Sequence, residues 1–198
     1  MHRHILTVLC VTLALGAATL ALGVPAFPQE HAAHAAAAKA KPPAVLMPGY
    51  GNWHHPVTTK NAQAQAFFDQ GLRQIYAFNH DEAKRSFQRA GELDPKMAMA
   101  YWGVAEAVGP NYNDPASEDR FVQAHEAIEK AQVLAADASE SDKAYIEALA
   151  TRFPADPHSD LRAALEQYRD AMRELVKRFP DDLDAATLFA EAGMNLHP

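Results

Sequence analysis

The chain has 198 residues, with 18 Lys and Arg against 25 Asp and Glu, which gives a formal net charge of −7 at pH 7. This acidic balance argues against a general nucleic-acid binder, because such proteins normally present a basic face. The single cysteine, Cys10, excludes an intrachain disulfide and any metal site built from several cysteines.

Residues 1–26 have the pattern of a secretory signal peptide. Arg3 lies in a short N-terminal region, no charged residue occurs from position 5 to 24, and small residues surround Ala26. Cleavage after Ala26 would remove Arg3 and Cys10, leaving 17 basic and 25 acidic residues. The alternative is a retained anchor, since the apolar run is about 20 residues long. We expect cleavage, and therefore an exported protein, periplasmic or secreted, with no stable membrane span.

Residues 27–56 are biased towards alanine and proline, and we expect a disordered tether and a lead-in there. The folded domain is expected at 57–198. Apolar residues in this domain recur at steps of three and four, which is typical of amphipathic helices. The pattern predicts an all-α fold with seven helices, at 62–78, 81–93, 96–108, 117–136, 140–152, 160–179 and 183–196.

The spacing of small and aromatic residues indicates a repeat. Gly71 is followed by Ala83, Phe87, Ala90 and Pro95, and the next first-helix segment starts about 34 residues after its counterpart. This is the tetratricopeptide (TPR) pattern, in which small residues let two antiparallel helices approach closely beside an aromatic ring. The sequence therefore predicts a TPR-like α-solenoid of antiparallel helix pairs.

The same spacing recurs with drift, which gives about three repeats. The helix at 183–196 would open a fourth repeat, but no partner helix follows it before Pro198. Because each repeat of a solenoid buries a face on its neighbour, we expect the chain to be the front part of a longer protein.

The stretch 53–113 resembles a group of exported bacterial TPR proteins. The resemblance lies in HHPVTT (54–59), AQAFFDQGLRQIYAFNHDEAKRSFQRAGELDPKMAMAYWG (64–103) and GPNYN (109–113). It is tight over about 60 residues and looser over about 140. Members of this group are largely uncharacterised and usually longer, with further repeats and histidines after the last helix seen here. The resemblance implies a TPR superhelix and export, and it implies little about chemistry.

First helices of TPR arrays line a groove that holds partner peptides. By their position in the repeat, Phe68 and Leu72, then Trp102 and Glu106, are expected to face that groove. The alternative for the aromatic residues is packing between repeats. The loop 109–115 is longer than a TPR turn, so Asn111, Tyr112 and Asn113 are candidates for a ligand-binding loop.

Histidines are the candidates for a metal site. His54 and His55 are adjacent and would need a third ligand, for which His80 is a candidate. The alternative is a polar lead-in packed on the first repeat. His80 itself lies in a turn, where Asn79 suits the left-handed end of a helix and Asp81 suits an N-cap.

No motif of a known catalytic type occurs in the chain, and no cofactor is expected. The main hypothesis is therefore an exported TPR scaffold that binds a protein or peptide partner without catalysis. The second is a periplasmic copper or zinc protein that uses the N-terminal histidines. The third is an enzyme whose catalytic residues lie in a C-terminal part beyond Pro198.

Overall fold

The computed structural model describes residues 42–115 and 117–197, so the predicted signal peptide and the tether before residue 42 lie outside the described residues. The described part contains seven α helices and no β strand, which confirms the predicted all-α class. None of its helices combines the length and the apolar character needed to cross a bilayer. The helices are α1 Ala62–Tyr76, α2 His80–Leu93, α3 Ala98–Val108, α4 Glu118–Leu134, α5 Glu140–Ala150, α6 Leu161–Arg178 and α7 Leu183–Met194.

Polar side chains set the starts of four helices. Asn61 accepts hydrogen bonds from the main-chain amides of residues 63 and 64, and Asp182 accepts from those of residues 184 and 185. Ser139 and Asp160 cap α5 and α6 in the same way. These caps satisfy amides that have no partner inside the helix, which is why the predicted starts of these helices are accurate to within about a residue.

Each helix packs against the next along the chain, and α3 also contacts α1 and α5. The approach of α1, α2 and α3 depends on two glycines around Phe87. A Cβ atom at Gly71 of α1 would lie 2.7 Å from the Phe87 ring, and one at Gly103 of α3 would lie 2.3 Å from it. Ala83, Phe87 and Ala90 are fully buried, whereas Pro95 is exposed in the turn between α2 and α3.

The residues predicted to line a groove lie in the core instead. Phe68, Leu72, Trp102 and Glu106 are 0%, 1%, 2% and 4% exposed, which corrects that prediction. Phe68, Trp102 and Tyr145 form a row of aromatic contacts across α1, α3 and α5. The ring of His55 covers this row, with centroids 6.2 Å from Phe68 and 5.3 Å from Tyr145. The lead-in and α7 both lie against this face, since His55, Asp184 and Leu188 meet Phe68, Leu72 and Trp102 around one small internal space.

The lead-in, residues 45–60, has no regular secondary structure but is bonded to the helices along its length. Near its start, the Met47 amide donates to Gln70 of α1 at 2.7 Å. Near its end, the Thr58 amide donates to Asp142 of α5 at 2.8 Å. The lead-in is therefore held against α1 and α5, because polar side chains on these helices satisfy part of its main chain.

Candidate functional site

A cluster of polar side chains, here the His55–Asp184 cluster, joins the lead-in to α1, α5 and α7. It consists of His55, Tyr76, Tyr145, Asp182 and Asp184. His55 Nδ1 lies 2.7 Å from Asp184 Oδ2, and the Tyr76 hydroxyl donates to the other oxygen of Asp184 at 2.6 Å. The Tyr145 hydroxyl donates to Asp182 at 3.0 Å. Four separate parts of the chain therefore meet around two carboxylates.

The pKa values of His55 and Asp184 are shifted in opposite directions in the cluster. Burial by itself would lower the pKa of His55, but its hydrogen bond to Asp184 and the negative charges of Asp184, Asp182 and Asp142 outweigh burial and raise that pKa above 6.5. Burial would raise the pKa of Asp184, but hydrogen bonds from His55, Tyr76 and Trp53 lower it. The folded state thus favours a charged imidazolium paired with a charged carboxylate.

Among the described residues, one group has the composition and spacing of a metal site. One ligand atom each from His55, Asp182 and Asp184 lie within 4.8 Å of one another. The structure does not bring together the three histidines that the sequence suggested as ligands. His54 Nδ1 lies 2.8 Å from Asp69, and His80 Nε2 lies 3.4 Å from the Asn111 side chain. Of the three histidines, only His55 belongs to the group. His54, its neighbour on the extended lead-in, contacts Asp69 instead.

Next to this cluster is an open groove of about 830 Å³, hereafter the groove. Trp53 and Leu183 are 43% and 61% exposed on it, and Phe78 and Met194 are 59% and 47% exposed. Large apolar side chains with this much exposure are otherwise scattered over the described part of the molecule. The groove is lined by Trp53, Ile75, Tyr76, Phe78, His80, Asn111, Tyr112, Leu183, Asp184, Ala186, Thr187, Ala190, Glu191 and Met194.

Phe78 is held in the groove by the end of α1. Its φ is +56°, in the left-handed region that glycine favours. The Phe78 amide donates to Ile75 O and the Asn79 amide donates to Gln74 O, at 2.9 and 2.8 Å. This is the Schellman pattern, with phenylalanine at the position where glycine is usual. The sequence suggested Asn79 as the left-handed residue, but that residue is Phe78. Helix α2 begins two residues later, at His80.

The loop after α3 forms the part of the wall next to Phe78. Asn111 and Asp114 exchange main-chain hydrogen bonds of 3.0 Å, which closes a tight turn that presents Tyr112. The Tyr112 ring packs edge-on against Phe78, with centroids 6.0 Å apart. Asn111 and Tyr112 thus line the groove, as a ligand-binding loop would, whereas Asn113 is exposed and does not line it.

Buried charges hold this loop in place from the core side. Arg152 pairs with Glu106 at 3.3 Å and donates to the carbonyl of Pro110. Burial raises the pKa of Glu106 to about 7, even though the charge of Arg152 opposes that rise. Arg120 donates to the carbonyls of Val108 and Gly109. Glu106 is therefore a positioning residue for the loop and does not face the groove.

Sequence reasoning missed most of the α7 side of the site. Leu183, Thr187, Glu191 and Met194 follow one another at helical spacing, which was a usable signal for a common face. Asp182 is the N-cap of α7, a role that an acidic residue at the start of a helix commonly has. The role of Asp184 in the cluster depends on contacts with residues more than 100 positions away, such as Tyr76. That of Asp182 depends on Tyr145, 37 positions away, and no local pattern reveals either contact.

No protein-family model, no curated protein and no solved structure matches the chain. The function is therefore inferred from the groove and from the His55–Asp184 cluster themselves.

Proposed function

We propose that the chain is an exported TPR-like scaffold that binds a peptide segment of a partner protein in the groove, without catalysis. The main support for the proposal is that four exposed apolar side chains line one surface. They are Trp53, Phe78, Leu183 and Met194. Monomeric proteins seldom expose large apolar side chains as a contiguous patch, and such patches usually mark binding sites.

The TPR-like arrangement is supported by two features of the helices. Consecutive helices are in contact, and the first helices α1, α3 and α5 also form a row of neighbours. In addition, Phe87 fills the space between Gly71 and Gly103, one repeat apart, as small residues around an aromatic ring do in such arrays. Export is supported by the uncharged N-terminal run from position 5 to 24.

A peptide is the ligand class that suits the dimensions of the groove. The α7 residues that line it run from Leu183 to Met194, which corresponds to about 16 Å along a helix. An extended peptide of about five residues has this length. The apolar side chains would bury its side chains, while Asn111 offers an amide for its main chain. The aromatic anchors Trp53 and Tyr112 are of the type that dominates binding energy in protein interfaces.

A displayed library of random twelve-residue peptides would test the proposal. Peptides enriched on the full chain would be synthesised with a fluorophore and their affinities measured by fluorescence anisotropy. We expect Leu183→Ser to weaken binding at least tenfold, since one large buried side chain contributes about 1.5–3 kcal/mol.

Val133→Ser is the matched control, because Val133 is 80% exposed on α4 and does not line the groove. The proposal is wrong if the two substitutions weaken binding equally, or if no peptide is enriched.

A second candidate function is metal binding at His55, Asp182 and Asp184. It is favoured by the mixed nitrogen and oxygen donors within 4.8 Å of one another and by the tyrosine hydroxyls that orient the carboxylates. Zinc or copper would have to displace the proton shared by His55 and Asp184. Titration calorimetry with each metal would test this function, with Asp182→Asn as the variant, because asparagine keeps the helix cap. Equal heats for the two proteins would eliminate this site.

A further inference from the structure

The charged groups around the groove distinguish it from a purely apolar surface. Its lining contains the carboxylates of Asp184 and Glu191 and no lysine or arginine. Asp184 is engaged by His55, Tyr76 and Trp53. Glu191 has no ion-pair partner among the described residues. An unpaired carboxylate thus lies on the same face of α7 as Leu183 and Met194.

The cations near this surface are already used. Arg120 pairs with Asp114 at 2.6 Å and Arg152 pairs with the buried Glu106 at 3.3 Å. Arg73 donates to the main-chain carbonyl of Trp53 at 2.8 Å and does not line the groove. His80 does line it, but burial lowers the pKa of its imidazole, so the ring is neutral near pH 7. Nothing in the lining therefore cancels the charge of Glu191.

Aromatic rings supply a second feature that attracts positive charge. Trp53, Tyr76, Phe78 and Tyr112 contribute to the lining, and Phe78 and Tyr112 meet edge to face with an interplanar angle of 86°. The faces of aromatic rings carry negative potential and attract ammonium and guanidinium groups within about 6 Å. Arginine and lysine also carry apolar stems that can lie along leucine and methionine while the head group reaches a carboxylate.

We propose that the segment bound in the groove is basic, with a lysine or arginine placed against Glu191 and the aromatic wall, flanked by apolar residues. This inference rests on the proposed peptide-binding function and names the chemistry of the ligand. The positive charge belongs to a side chain of a protein partner, because the apolar residues of α7 on either side of Glu191 can contact the neighbours of that side chain.

Four synthetic peptides with one leucine-rich frame would test this inference on the full chain. The central residue would be lysine, arginine, norleucine or glutamate. Norleucine has the hydrocarbon chain of lysine but no ammonium group. Affinities would be measured by anisotropy at low and high salt. We expect the lysine and arginine peptides to bind at least fivefold more tightly than the norleucine peptide, and the difference to shrink at high salt.

Glu191→Gln is the decisive variant. It should weaken binding of the lysine and arginine peptides about fivefold and leave the norleucine peptide unchanged. Glu126→Gln is its matched control, because Glu126 is exposed on α4 away from the groove and should change none of the affinities. The far-ultraviolet circular dichroism of each variant would show that the fold is intact.

The outcomes separate the two proposals. If the norleucine or glutamate peptide binds as tightly as the lysine peptide and Leu183→Ser weakens all of them, the basic ligand is wrong and peptide binding stands. If Glu191→Gln weakens the norleucine peptide as much as the lysine peptide, the charge of Glu191 is not the cause and the inference is also overturned. If none of the four binds, the inference fails, whereas the failure of peptide binding itself is decided by the random library.

Discussion

Phe78 combines an unfavourable backbone with an exposed side chain. A left-handed conformation costs a residue other than glycine about 1–2 kcal/mol, and Phe78 has a φ of +56°. Among the described residues, its ring packs against one other aromatic ring, that of Tyr112, in an edge-to-face pair, and such pairs contribute about 0.5–1.5 kcal/mol. An exposed pair is expected near the lower end of that range. Stability alone therefore favours glycine at this position, and the proposed binding function would account for the phenylalanine.

Replacing Phe78 by glycine should separate stability from binding. We expect Phe78→Gly to raise the free energy of unfolding by about 0.5–1 kcal/mol, because the relief of backbone strain exceeds the lost ring contact. Urea denaturation would measure it. Phe78→Ala is the control, since alanine loses the ring but keeps the strained φ and should be less stable than glycine. Both variants should bind peptides more weakly. Equal stabilities of the two variants would show that the backbone strain is not real.

At the scale of the elements, the contact of α1, α2 and α3 depends on the absence of two side chains. Phe87 is fully buried, and the positions facing it on α1 and α3 are Gly71 and Gly103. Glycine lowers helix propensity by about 1 kcal/mol relative to alanine. Both glycines therefore reduce local helix stability, but they allow α1 and α3 to pack closely around the Phe87 ring.

Gly103→Ala should destabilise the protein by about 1–3 kcal/mol, because the new methyl group would overlap the Phe87 ring at 2.3 Å. Gly193→Ala is a matched control in α7, where no atom lies within 4 Å of the added Cβ. It should raise stability by up to about 1 kcal/mol through helix propensity. Thermal or urea unfolding would measure both changes. A stabilising effect at position 103 would contradict the packing of Phe87 described above.

At the scale of the whole molecule, the lead-in connects helices that are distant in the chain. His54 and His55 bind carboxylates on α1 and α7, and Thr58 binds one on α5. Because it is buried and made to a charged group, the His55–Asp184 bond contributes about 1.5–3 kcal/mol, whereas the largely exposed His54 contributes less. The lead-in thus links α1, α5 and α7, and its residue Trp53 forms part of the wall of the groove. The pair formed by His55 and Asp184 is the part of this attachment that depends on a titratable charge.

Stability should consequently fall as the pH rises above 6.5. The folded state raises the pKa of His55 above its ordinary value of 6.5, so the folded protein holds a proton that the unfolded chain releases. The resulting stability is complete below pH 6.5 and is lost as the pH rises through the folded pKa, with a slope of up to about 1.4 kcal/mol per pH unit. His80, whose pKa is lowered, contributes with the opposite sign, and only below pH 6.5.

Urea denaturation between about pH 6.5 and 8.5 would measure this loss. His55→Gln should remove the part of the loss that lies above about pH 7, because glutamine can donate a hydrogen bond but cannot release a proton. The buried Glu106, whose pKa is raised to about 7, contributes a loss of the same sign below that pH and should be unaffected. His158→Gln is the control, since the His158 side chain is 76% exposed and lies outside the cluster. The assignment of the pH dependence to His55 fails if its replacement leaves the slope unchanged.

The amino-acid sequence by itself determined the seven helices and the small residues around Phe87, because apolar spacing, caps and glycine act within one or two turns of the chain. It also pointed to the loop that carries Tyr112, since a long connection with asparagines is a local feature. What only the tertiary structure decided is which surface is open. His55 of the lead-in packs on Phe68 and pairs with Asp184, 129 residues away, whereas Phe78 stays exposed. A contact over that distance is selected by the packing of the whole fold, which no periodicity in the sequence records.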